Sequence, residues 1–578
     1  MKRCSVSHFR TAAGVFVFIG VCITIAALCL TLGKPPKGRG PPFSTGGDML
    51  EYLIQKGMIS TKDGLLVTWS HGANNKSQMQ EALNSDIMVL EADINLEGYG
   101  TVNQTNLPIM AHPPAVYSDN TLQEWMDAVV ESSKGIKLDF KSTEAVSPSL
   151  DIVNAKLAKG QIRQPVWINA DIVKGPNVNH TTVNAAQFLN LIQTKFPDVT
   201  ISPGWVTLYL PPLISNRTYT WEMIQEMYGL VKSLPQRVTF PARAVLTRSA
   251  WYNFNWLLQQ SDWYTLTLWQ GTSDPLTLED LLFIRDNSPP EKIYYDIYDP
   301  LLSEFKKIAL NPNRKRLYYS GGGLQQYFHP DDDDGLLVKW YDAEDNVTML
   351  QNTLDSNSGM ITFNVEVQEE NSKLIAVVVL SKSSLSLPLE TGLKLISNHF
   401  NPWGVFLKLK DHSTLNETLR VLKQQYEQKT LYFPVWVSMD VSYGNFKDPG
   451  CIKGEDFISS INDIFPFVTI APSWPENKLS QGYTGEMVED MLALCKGLWQ
   501  EVSFQLQAVA LGISWEGAVK LKDASPIYSL TVQHDSHHGD FMDGYHGLMT
   551  IRSHTGNKVY YKLPSDYLAL LLSSIYTS

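Results

Sequence analysis

Six ionisable residues in the N-terminal half have types and an order that suit acid–base chemistry at a metal ion. They are His71, Glu91, Asp93, His112, Asp139 and Lys141. Carboxylate oxygens are the ligands that Mg²⁺ and Ca²⁺ prefer, so the three acidic residues could hold such a cation. Imidazole titrates near neutral pH, so the two histidines could act as general base or nucleophile and as general acid. With Lys141 as a further cationic contact, the set suits reactions of phosphodiesters.

The spacing of these residues predicts that they share one side of neighbouring strands. Glu91 and Asp93 are two residues apart in IMVLEADI, and Lys137, Asp139 and Lys141 alternate in GIKLDFK. Because side chains alternate along a strand, each set points to a single side. The sequence has no cluster of cysteine and histidine with zinc spacing, so we predict a cation that prefers oxygen ligands.

The elements that must position these residues are short β-branched and aromatic segments alternating with amphipathic stretches. The strand candidates are residues 65–71, 87–94, 135–141, 165–172, 199–205, 238–244, 264–269 and 292–299. The alternation predicts an α/β fold of the (β/α)8 TIM-barrel type, with a doubly wound open sheet as the alternative. The number of strands favours closure. In such a barrel, functional residues collect at the carboxyl ends of the strands.

The body of the chain contains one internal duplication. PVWINADIVKG from Pro165 matches PVWVSMDVSYG from Pro434, and FPDVTISPGW from Phe196 matches FPFVTIAPSW from Phe465 at the same spacing. We therefore predict a tandem pair of barrels. The predicted parts are a first barrel over residues 48–319, a turn-rich linker over 320–335 and a second barrel over 336–578.

The second copy is predicted to be non-catalytic. By alignment, Asn364 stands opposite Glu91, Glu366 opposite Asp93, Lys408 opposite Asp139 and a position near Asp342 opposite His71, and no histidine matches His112. A cation site that exchanges one carboxylate for an amide and another for an ammonium loses its charge balance. Asp171 and Asp440 occupy matching places in both copies, which favours a role in the shared fold.

The order of the candidate residues resembles the phospholipase-C-like phosphodiesterase superfamily, which includes glycerophosphodiester phosphodiesterases and sphingomyelinase D toxins. The pattern consists of His71, Glu91-x-Asp93, His112 and Asp139-x-Lys141. Over both repeats the chain more closely resembles the menorin family, whose domain is similar to those enzymes. The resemblance implies that the two histidines are catalytic and that the three acidic residues bind the metal.

One feature departs from the superfamily pattern. Glycerophosphodiesterases usually have His-Arg-Gly where this chain has His71-Gly72-Ala73, so an arginine contact to phosphate is missing or comes from elsewhere. Arg243, in FPARA at the end of the sixth strand candidate, is the predicted replacement.

Two functions from different classes follow. The first is a phosphodiesterase, dependent on Mg²⁺ or Ca²⁺, that acts on a lipid-derived or other small phosphodiester. The alternative is a catalytically inactive binding or adhesion protein with an extracellular protein partner, because the second copy must be retained for something other than turnover. The net charge of -12 and the lack of a long basic stretch in the body exclude nucleic acid as a partner.

The N-terminus carries a predicted membrane anchor. Residues 11–33 contain no charged residue and are long enough to cross ~30 Å of hydrocarbon as a helix that rises ~1.5 Å per residue. We predict an uncleaved signal anchor, with residues 1–10 in the cytoplasm and a flexible stalk over 34–47. A cleaved signal peptide is the alternative, but its apolar core would be long and no good small-residue cleavage site follows.

Sequons and cysteines favour an extracytoplasmic body. N-x-S/T sequons begin at Asn75, Asn103, Asn179, Asn216, Asn346 and Asn416. Cys451 and Cys495 could pair in an oxidising compartment if the fold brings them together, and two buried free thiols are the alternative. We predict a single-pass glycoprotein, with its C-terminal body outside the plasma membrane.

Overall fold

A computed structural model describes most of the chain beyond its N-terminal segment. It covers residues 44–578 except 216, 331–333, 344–345, 381–385, 449–450, 476–477, 535–541, 555–556 and 578. The predicted anchor over 11–33 and the sequon residue Asn216 lie outside the described residues. Within the described part, none of the helices is both long and apolar enough to span a bilayer.

The first sheet has nine strands. They are β1 (Trp69–Ser70), β2 (Val89–Leu96), β3 (Pro108–Met110), β4 (Gly135–Phe140), β5 (Val166–Lys174), β6 (Thr200–Val206), β7 (Val238–Arg243), β8 (Tyr264–Trp269) and β9 (Ile293–Asp296). Eight are parallel in the order β1-β2-β4-β5-β6-β7-β8-β9, and β3 pairs antiparallel with β2. All eight predicted strands are therefore present, whereas β3 was not expected.

Helices accompany this sheet, and the first of them packs on Val89, Trp167 and Tyr294 near the amino ends of the strands. The helices are Met49–Gln55, Lys76–Leu83, Leu122–Val129, Thr143–Ala158, Ala185–Lys195, Trp221–Val231, Ala244–Thr247, Trp251–Gln259, Leu278–Asp286 and Leu301–Ala309, with 3-10 turns Gly64–Leu66, Arg248–Ala250 and Pro290–Lys292. Asn75, Thr121 and Thr277 begin three of them with capping boxes, which satisfy free amides of the first turn.

The first sheet curls into a nearly closed parallel barrel. The turn Gly64–Leu66, just before β1, packs on β9, and a Cβ at Gly64 would overlap the carbonyl oxygen of Ile293. Only glycine leaves room for this approach. The first and last strands of the sheet therefore come together without being paired in the described ladder.

The second sheet is mixed and has 11 strands. They are β10 (Trp340–Asp342), β11 (Gly359–Glu370), β12 (Lys373–Val379), β13 (Ser386–Pro388), β14 (Trp403–Leu409), β15 (Val435–Ser442), β16 (Ile452–Lys453), β17 (Thr469–Ser473), β18 (Val502–Gln507), β19 (Tyr528–Gln533) and β20 (Val559–Lys562). Strands β10, β11, β14, β15, β17, β18, β19 and β20 reproduce the parallel arrangement of the first sheet. The antiparallel strands β12 and β13 extend it beyond β11.

Helices also accompany the second sheet. They are Leu324–Phe328, Val347–Ser356, Leu389–Asn398, His412–Glu427, Gly454–Ile464, Gly485–Cys495, Ala508–Leu511, Glu516–Asp523, Met542–His554 and Ser565–Thr577, with a 3-10 turn at Gly335–Leu337. Gly335 approaches the carbonyl oxygen of Val559 as Gly64 approaches that of Ile293. The duplication is thus visible in the contacts as well as in the sequence.

The beginnings of both repeats differ from the sequence-based boundaries. Thr45, expected in the flexible stalk, is buried, and its carbonyl oxygen accepts a hydrogen bond from the Val166 amide at 2.8 Å. Ser320, expected in the linker, is buried in the same way and accepts from the Val435 amide at 2.8 Å. Thr45 and Ser320 therefore pack against the strands β5 and β15 at matching places in the two repeats. Small hydroxyl residues in a turn-rich segment resemble a linker until their burial is seen.

Strand pairing also corrects the alignment of β2 with β11. Trp69 pairs with Val89, and Trp340 pairs with Met360. The amide of Ala73 donates to the Glu91 carbonyl at 2.8 Å, and that of Ala343 donates to the Thr362 carbonyl at 3.0 Å. The counterparts of Glu91 and Asp93 are therefore Thr362 and Asn364, not Asn364 and Glu366. The sequence alignment matched Asn84-Ser85 with Asn357-Ser358 in the loops before the two strands. A loop identity does not determine the register of the strand that follows it.

Both cysteines of the body are free thiols. Cys495 is buried and Cys451 is partly buried. Burial raises the pKa of Cys495 to about 12 and that of Cys451 to about 11. Cys451 and Cys495 therefore form no disulfide with each other, in agreement with the alternative of two free thiols.

Candidate metal and acid–base site

Three carboxylates meet at the carboxyl end of the first barrel. Glu91 and Asp93 lie on β2, and Asp139 lies on β4 directly opposite Asp93. One oxygen from each lies within 4.8 Å of the others. Glu91 and Asp93 are buried, with 1% and 5% of their surfaces exposed. The structure thus brings the three acidic residues selected from the sequence together in a region of low dielectric, where their charges repel.

The loop after β1 orients two of these carboxylates. The Gly72 amide donates to Oε2 of Glu91 at 2.6 Å, from a left-handed backbone with φ 71°. The Asn74 side chain donates to Oδ2 of Asp93 at 2.8 Å and accepts from the Asp93 amide at 2.8 Å. Trp125 holds the loop by donating to the Ala73 carbonyl at 2.9 Å. Gly72 therefore has a positioning role at the site.

A hydrogen-bond chain orients the third carboxylate. The Asn169 side chain donates to Oδ1 of Asp139 at 2.7 Å, and the Ser202 hydroxyl donates to Oδ1 of Asn169 at 2.6 Å. Both partners are buried on β5 and β6. Such contacts behind a ligand fix its orientation and matter nearly as much as the ligand itself.

Lys141 neutralises part of the acidic cluster. Its ammonium lies 2.9 Å from Oδ1 of Asp93 and 2.6 Å from Oδ2 of Asp139. Burial lowers the pKa of Lys141, but the two carboxylates outweigh that effect and raise the pKa well above its usual value. Burial raises the pKa of Asp139, and the charges of Lys141 and Lys137 outweigh it, so the pKa falls. Lys141, expected to contact phosphate, is placed as the counter-ion of the carboxylates.

The negative charge of the three carboxylates that Lys141 does not balance fits a hard divalent cation. Burial and the neighbouring Asp93 raise the pKa of Glu91, because the second negative charge is poorly stabilised there. A set of closely spaced carboxylate oxygens is the donor type of magnesium and calcium sites. Glu91, Asp93 and Asp139 would hold such an ion.

His71 is held by a carboxylate that the sequence did not reveal. Its Nδ1 lies 2.7 Å from Oδ2 of Asp296, at the end of β9. Burial lowers the pKa of His71, but the charge of Glu91 and the hydrogen bond to Asp296 outweigh it and raise the pKa to about 9. Because Nδ1 donates to the carboxylate, Nε2 is the nitrogen left for proton transfer.

Replacing Asp296 by asparagine is expected to lower the pKa of His71 from about 9 toward its usual range, because a charge and a charge-assisted hydrogen bond are lost. The measurement is an NMR titration of the His71 ring in the full chain with EDTA present. Asp299→Asn is the matched control, since Asp299 accepts from Ser303 rather than from His71. An unchanged titration in the Asp296 variant would remove Asp296 from the site.

His112 lies at the rim of the same end. It follows β3 and is exposed, and its Nδ1 lies 2.6 Å from the Pro113 carbonyl. The preceding Ala111 amide donates to the Asp93 carbonyl at 2.9 Å. The backbone of His112 is therefore attached to β2 beside the carboxylates, while its ring faces solvent.

Arg243 is engaged by a carboxylate. Its Nε and Nη2 lie 2.8 and 2.6 Å from the two oxygens of Asp274. Its guanidinium also lies 5.5 Å from the Tyr209 ring centre and 5.2 Å from that of Trp269. Its predicted role as a phosphate contact would rely on the nitrogen that Asp274 does not use.

Asp171 differs from its counterpart despite the matching position. Burial and the charge of Asp139 raise its pKa to about 7, and it lies against Gly204 without room for a Cβ there. In the second repeat, Ser473 takes the place of Gly204 and donates to Asp440 at 2.6 Å. Asp171 is therefore part of the electrostatics of the first site, which the matching sequence positions did not indicate.

The second repeat keeps none of the three carboxylates of the candidate metal site and has a charge of opposite sign at the position of Asp139. Asp342 takes the place of His71, and Lys562 takes the place of Asp296. The Asp342 carboxylate lies 2.9 Å from the Lys562 ammonium. Thr362, Asn364 and Lys408 take the places of Glu91, Asp93 and Asp139. In the described part of the second repeat, no three acidic, histidine or cysteine residues come close enough to share a metal ion.

The five sequon asparagines that the structure describes lie on several surface elements. Asn103 and Asn179 are exposed, Asn416 is partly buried, and Asn75 and Asn346 begin helices. The Asn75 side chain accepts a hydrogen bond from the backbone amide of Gln78, and the Asn346 side chain accepts one from that of Met349. These caps use Oδ1, whereas a glycan would be attached at Nδ2.

Comparison with known proteins gives two findings. The family model described as the Menorin N-terminal domain matches residues 63–302 and 334–568, once in each repeat. The chain is also similar to Protein FAM151B of Homo sapiens, with 45% identity over 268 residues. That match covers 46% of this chain and 95% of the relative, so the relative has about the length of one repeat.

Proposed function

The chain belongs to the menorin family, and we propose that its first repeat is a phosphodiesterase that depends on a divalent cation. Its substrate is a lipid-derived or other small phosphodiester. The observation that carries the proposal is the convergence of three carboxylates within 4.8 Å next to a histidine held by a fourth carboxylate. The fold is a pair of (β/α)8 barrels, of which the first performs the reaction.

The residues divide the work of the reaction. Glu91, Asp93 and Asp139 bind Mg²⁺ or Ca²⁺, and the ion, when bound, stabilises negative charge on phosphate oxygens. His71 accepts a proton through Nε2 from the attacking water or substrate hydroxyl. His112, exposed at the rim, donates a proton to the leaving oxygen.

The charge balance supports this division. With the carboxylates unneutralised, His71 keeps its proton, because Glu91 and Asp296 raise its pKa to about 9. Neutralising Glu91 removes one of those two influences and returns His71 toward the range where it can act as a base. Asp296 keeps the imidazole in one tautomer and orientation throughout.

The test is hydrolysis by the full chain in detergent. The substrates are glycerophosphocholine, lysophosphatidylcholine, sphingomyelin and bis(p-nitrophenyl) phosphate, each with MgCl₂ or CaCl₂. We expect turnover that EDTA abolishes and that the added cation restores. Failure to hydrolyse any diester, or turnover that persists after complete chelation, would reject the proposal.

The setting of the reaction is part of the same proposal. The apolar segment over residues 11–33 anchors the protein in the plasma membrane, and the glycosylated body lies outside the cell. A lipid-derived substrate suits a catalytic domain attached close to a bilayer. An extracellular protein partner would use surfaces away from the end of the first barrel.

A further inference from the structure

The carboxyl end of the second barrel contains a polar cavity. It has a volume of about 700 Å³ and is lined by ends of strands β14, β15, β17, β18 and β19. Its wall includes two serines and three glutamines, together with Lys408, Lys410 and Asp440. The cavity stands where the first repeat has its acidic cluster, but its chemistry is different.

Lys408 supplies an unneutralised positive charge to this cavity. In the strand register, Lys408 on β14 lies opposite Ser438 on β15, just as Asp139 on β4 lies opposite Asn169 on β5. Among the described residues, no carboxylate lies within ion-pair distance of Lys408. The neighbouring lysines are already paired, Lys410 with Glu366 and Lys562 with Asp342, both at 2.9 Å. The ammonium of an exposed lysine thus stands in the place of the Asp139 carboxylate.

Gln505 supplies an unsatisfied acceptor. It is 2% exposed and lines the cavity, and its Nε2 donates to the Ser503 carbonyl at 2.9 Å. Its Oε1 is buried and has no hydrogen-bond partner among the described residues. A buried acceptor without a partner is costly, so a ligand hydroxyl at this point would be favoured.

The exchanges between the repeats favour hydroxyl recognition. Strand register places Gln505, Gln507 and Gln533 where the first repeat has Pro241, Arg243 and Trp269. An amide both donates and accepts hydrogen bonds, and so does a sugar or polyol hydroxyl. Asp440, which already accepts from Ser473 at 2.6 Å, adds a second acceptor.

We propose that this cavity is a metal-independent binding site for a phosphorylated polyol. Lys408 pairs with the phosphate, since lysine binds phosphate as a point charge. The Gln505, Gln533 and Asp440 side chains contact the hydroxyls. The volume admits a ligand larger than phosphate alone. The ligand is either a free phosphate ester or the headgroup of a lipid, and the proposal does not require the first repeat to be catalytic.

The test uses isothermal titration calorimetry of the full chain in detergent and EDTA, with myo-inositol 1-phosphate and glycerol 3-phosphate as probes. We expect saturable binding of at least one probe, with inorganic phosphate and myo-inositol each at least about tenfold weaker. Lys408→Met is expected to weaken binding at least about tenfold, the loss of one charge-assisted contact. Gln505→Leu, which removes the unsatisfied acceptor, is the second variant and is expected to weaken binding about threefold or more.

Two matched variants test whether binding depends on this cavity in particular. Lys394→Met removes the same charge outside the cavity wall, where Lys394 pairs with Glu390, and is expected to change affinity by less than about twofold. Glu91→Gln alters the first repeat and is expected to leave binding unchanged. Equal losses for the two lysine variants, loss of binding in the Glu91 variant, or failure of the unaltered chain to bind any probe or vesicle would overturn the proposal.

Vesicles identify the source of the ligand. Cosedimentation in detergent-free buffer compares phosphatidylcholine vesicles with and without phosphatidylinositol, for the unaltered chain and Lys408→Met, and the measured quantity is the increase over the binding that the apolar segment over residues 11–33 gives to both kinds of vesicle. Binding that needs phosphatidylinositol and Lys408 would support the proposal with a lipid headgroup as ligand. Binding of the soluble ester without that vesicle effect would support it with a free ester.

Discussion

Replacing Glu91 by glutamine is expected to lower phosphodiester turnover by about a thousandfold while the protein stays folded. The exchange keeps the shape that accepts the Gly72 amide at 2.6 Å but removes one of three negative charges. Loss of the cation's contribution, several kcal/mol of transition-state stabilisation, corresponds to a factor of that order. The measurement is kcat/KM on the best diester of the panel, with calorimetry of Mg²⁺ binding as a second readout.

Thr362→Val is the matched control for this experiment. Thr362 is the second-repeat counterpart of Glu91, and it is buried with a hydroxyl that has no hydrogen-bond partner within the described part of the chain. The valine variant is expected to keep full turnover and unchanged cation binding. Undiminished turnover in the Glu91 variant would show that the carboxylate cluster does not bind a catalytic cation.

Replacing His71 by alanine is expected to lower kcat by about 10²–10⁴, the usual contribution of a positioned acid or base. The variant removes the imidazole whose Nδ1 binds Asp296 and leaves the three carboxylates in place. Cation binding is therefore expected to persist. Loss of turnover with retained cation binding separates proton transfer from metal binding.

Asp342→Ala is the corresponding change in the second repeat. It breaks the contact with Lys562, just as His71→Ala breaks the contact with Asp296. If both variants lost turnover equally, the effect of His71→Ala would be a general consequence of damaging a barrel. Turnover lost only in the His71 variant assigns the chemistry to the first repeat.

Local patterns were enough to predict the strands and the three carboxylates. Glu91 and Asp93 alternate on one strand, and Asp139 follows on the next parallel strand, so their convergence depends only on the side-chain period of two and on adjacent pairing. The eight strands of the first sheet were found for the same reason. Their bounds shifted by a few residues, most at β1, where the 3-10 turn Gly64–Leu66 takes the first two residues of the expected strand and only Trp69–Ser70 are paired.

Contacts that depend on barrel closure could not be predicted from such patterns. Asp296 reaches His71 only because the last strand lies beside the first, and nothing near either residue indicates the other. The position of Lys141 between Asp93 and Asp139 depends on side-chain direction at a strand end. The counterpart of Glu91 in the second repeat was misplaced because a loop identity outweighed strand register.

In both repeats an ion pair joins the ends of the first and last strands, where the backbone ladder has no pairing. One repeat uses His71 with Asp296, and the other uses Asp342 with Lys562. Both members of the pair differ in charge between the repeats, so the contact stays attractive in each. Changing Asp342 alone to histidine would place an imidazole beside the Lys562 ammonium, which disfavours the protonated ring, so the pair of the first repeat could be rebuilt there only by exchanging both residues.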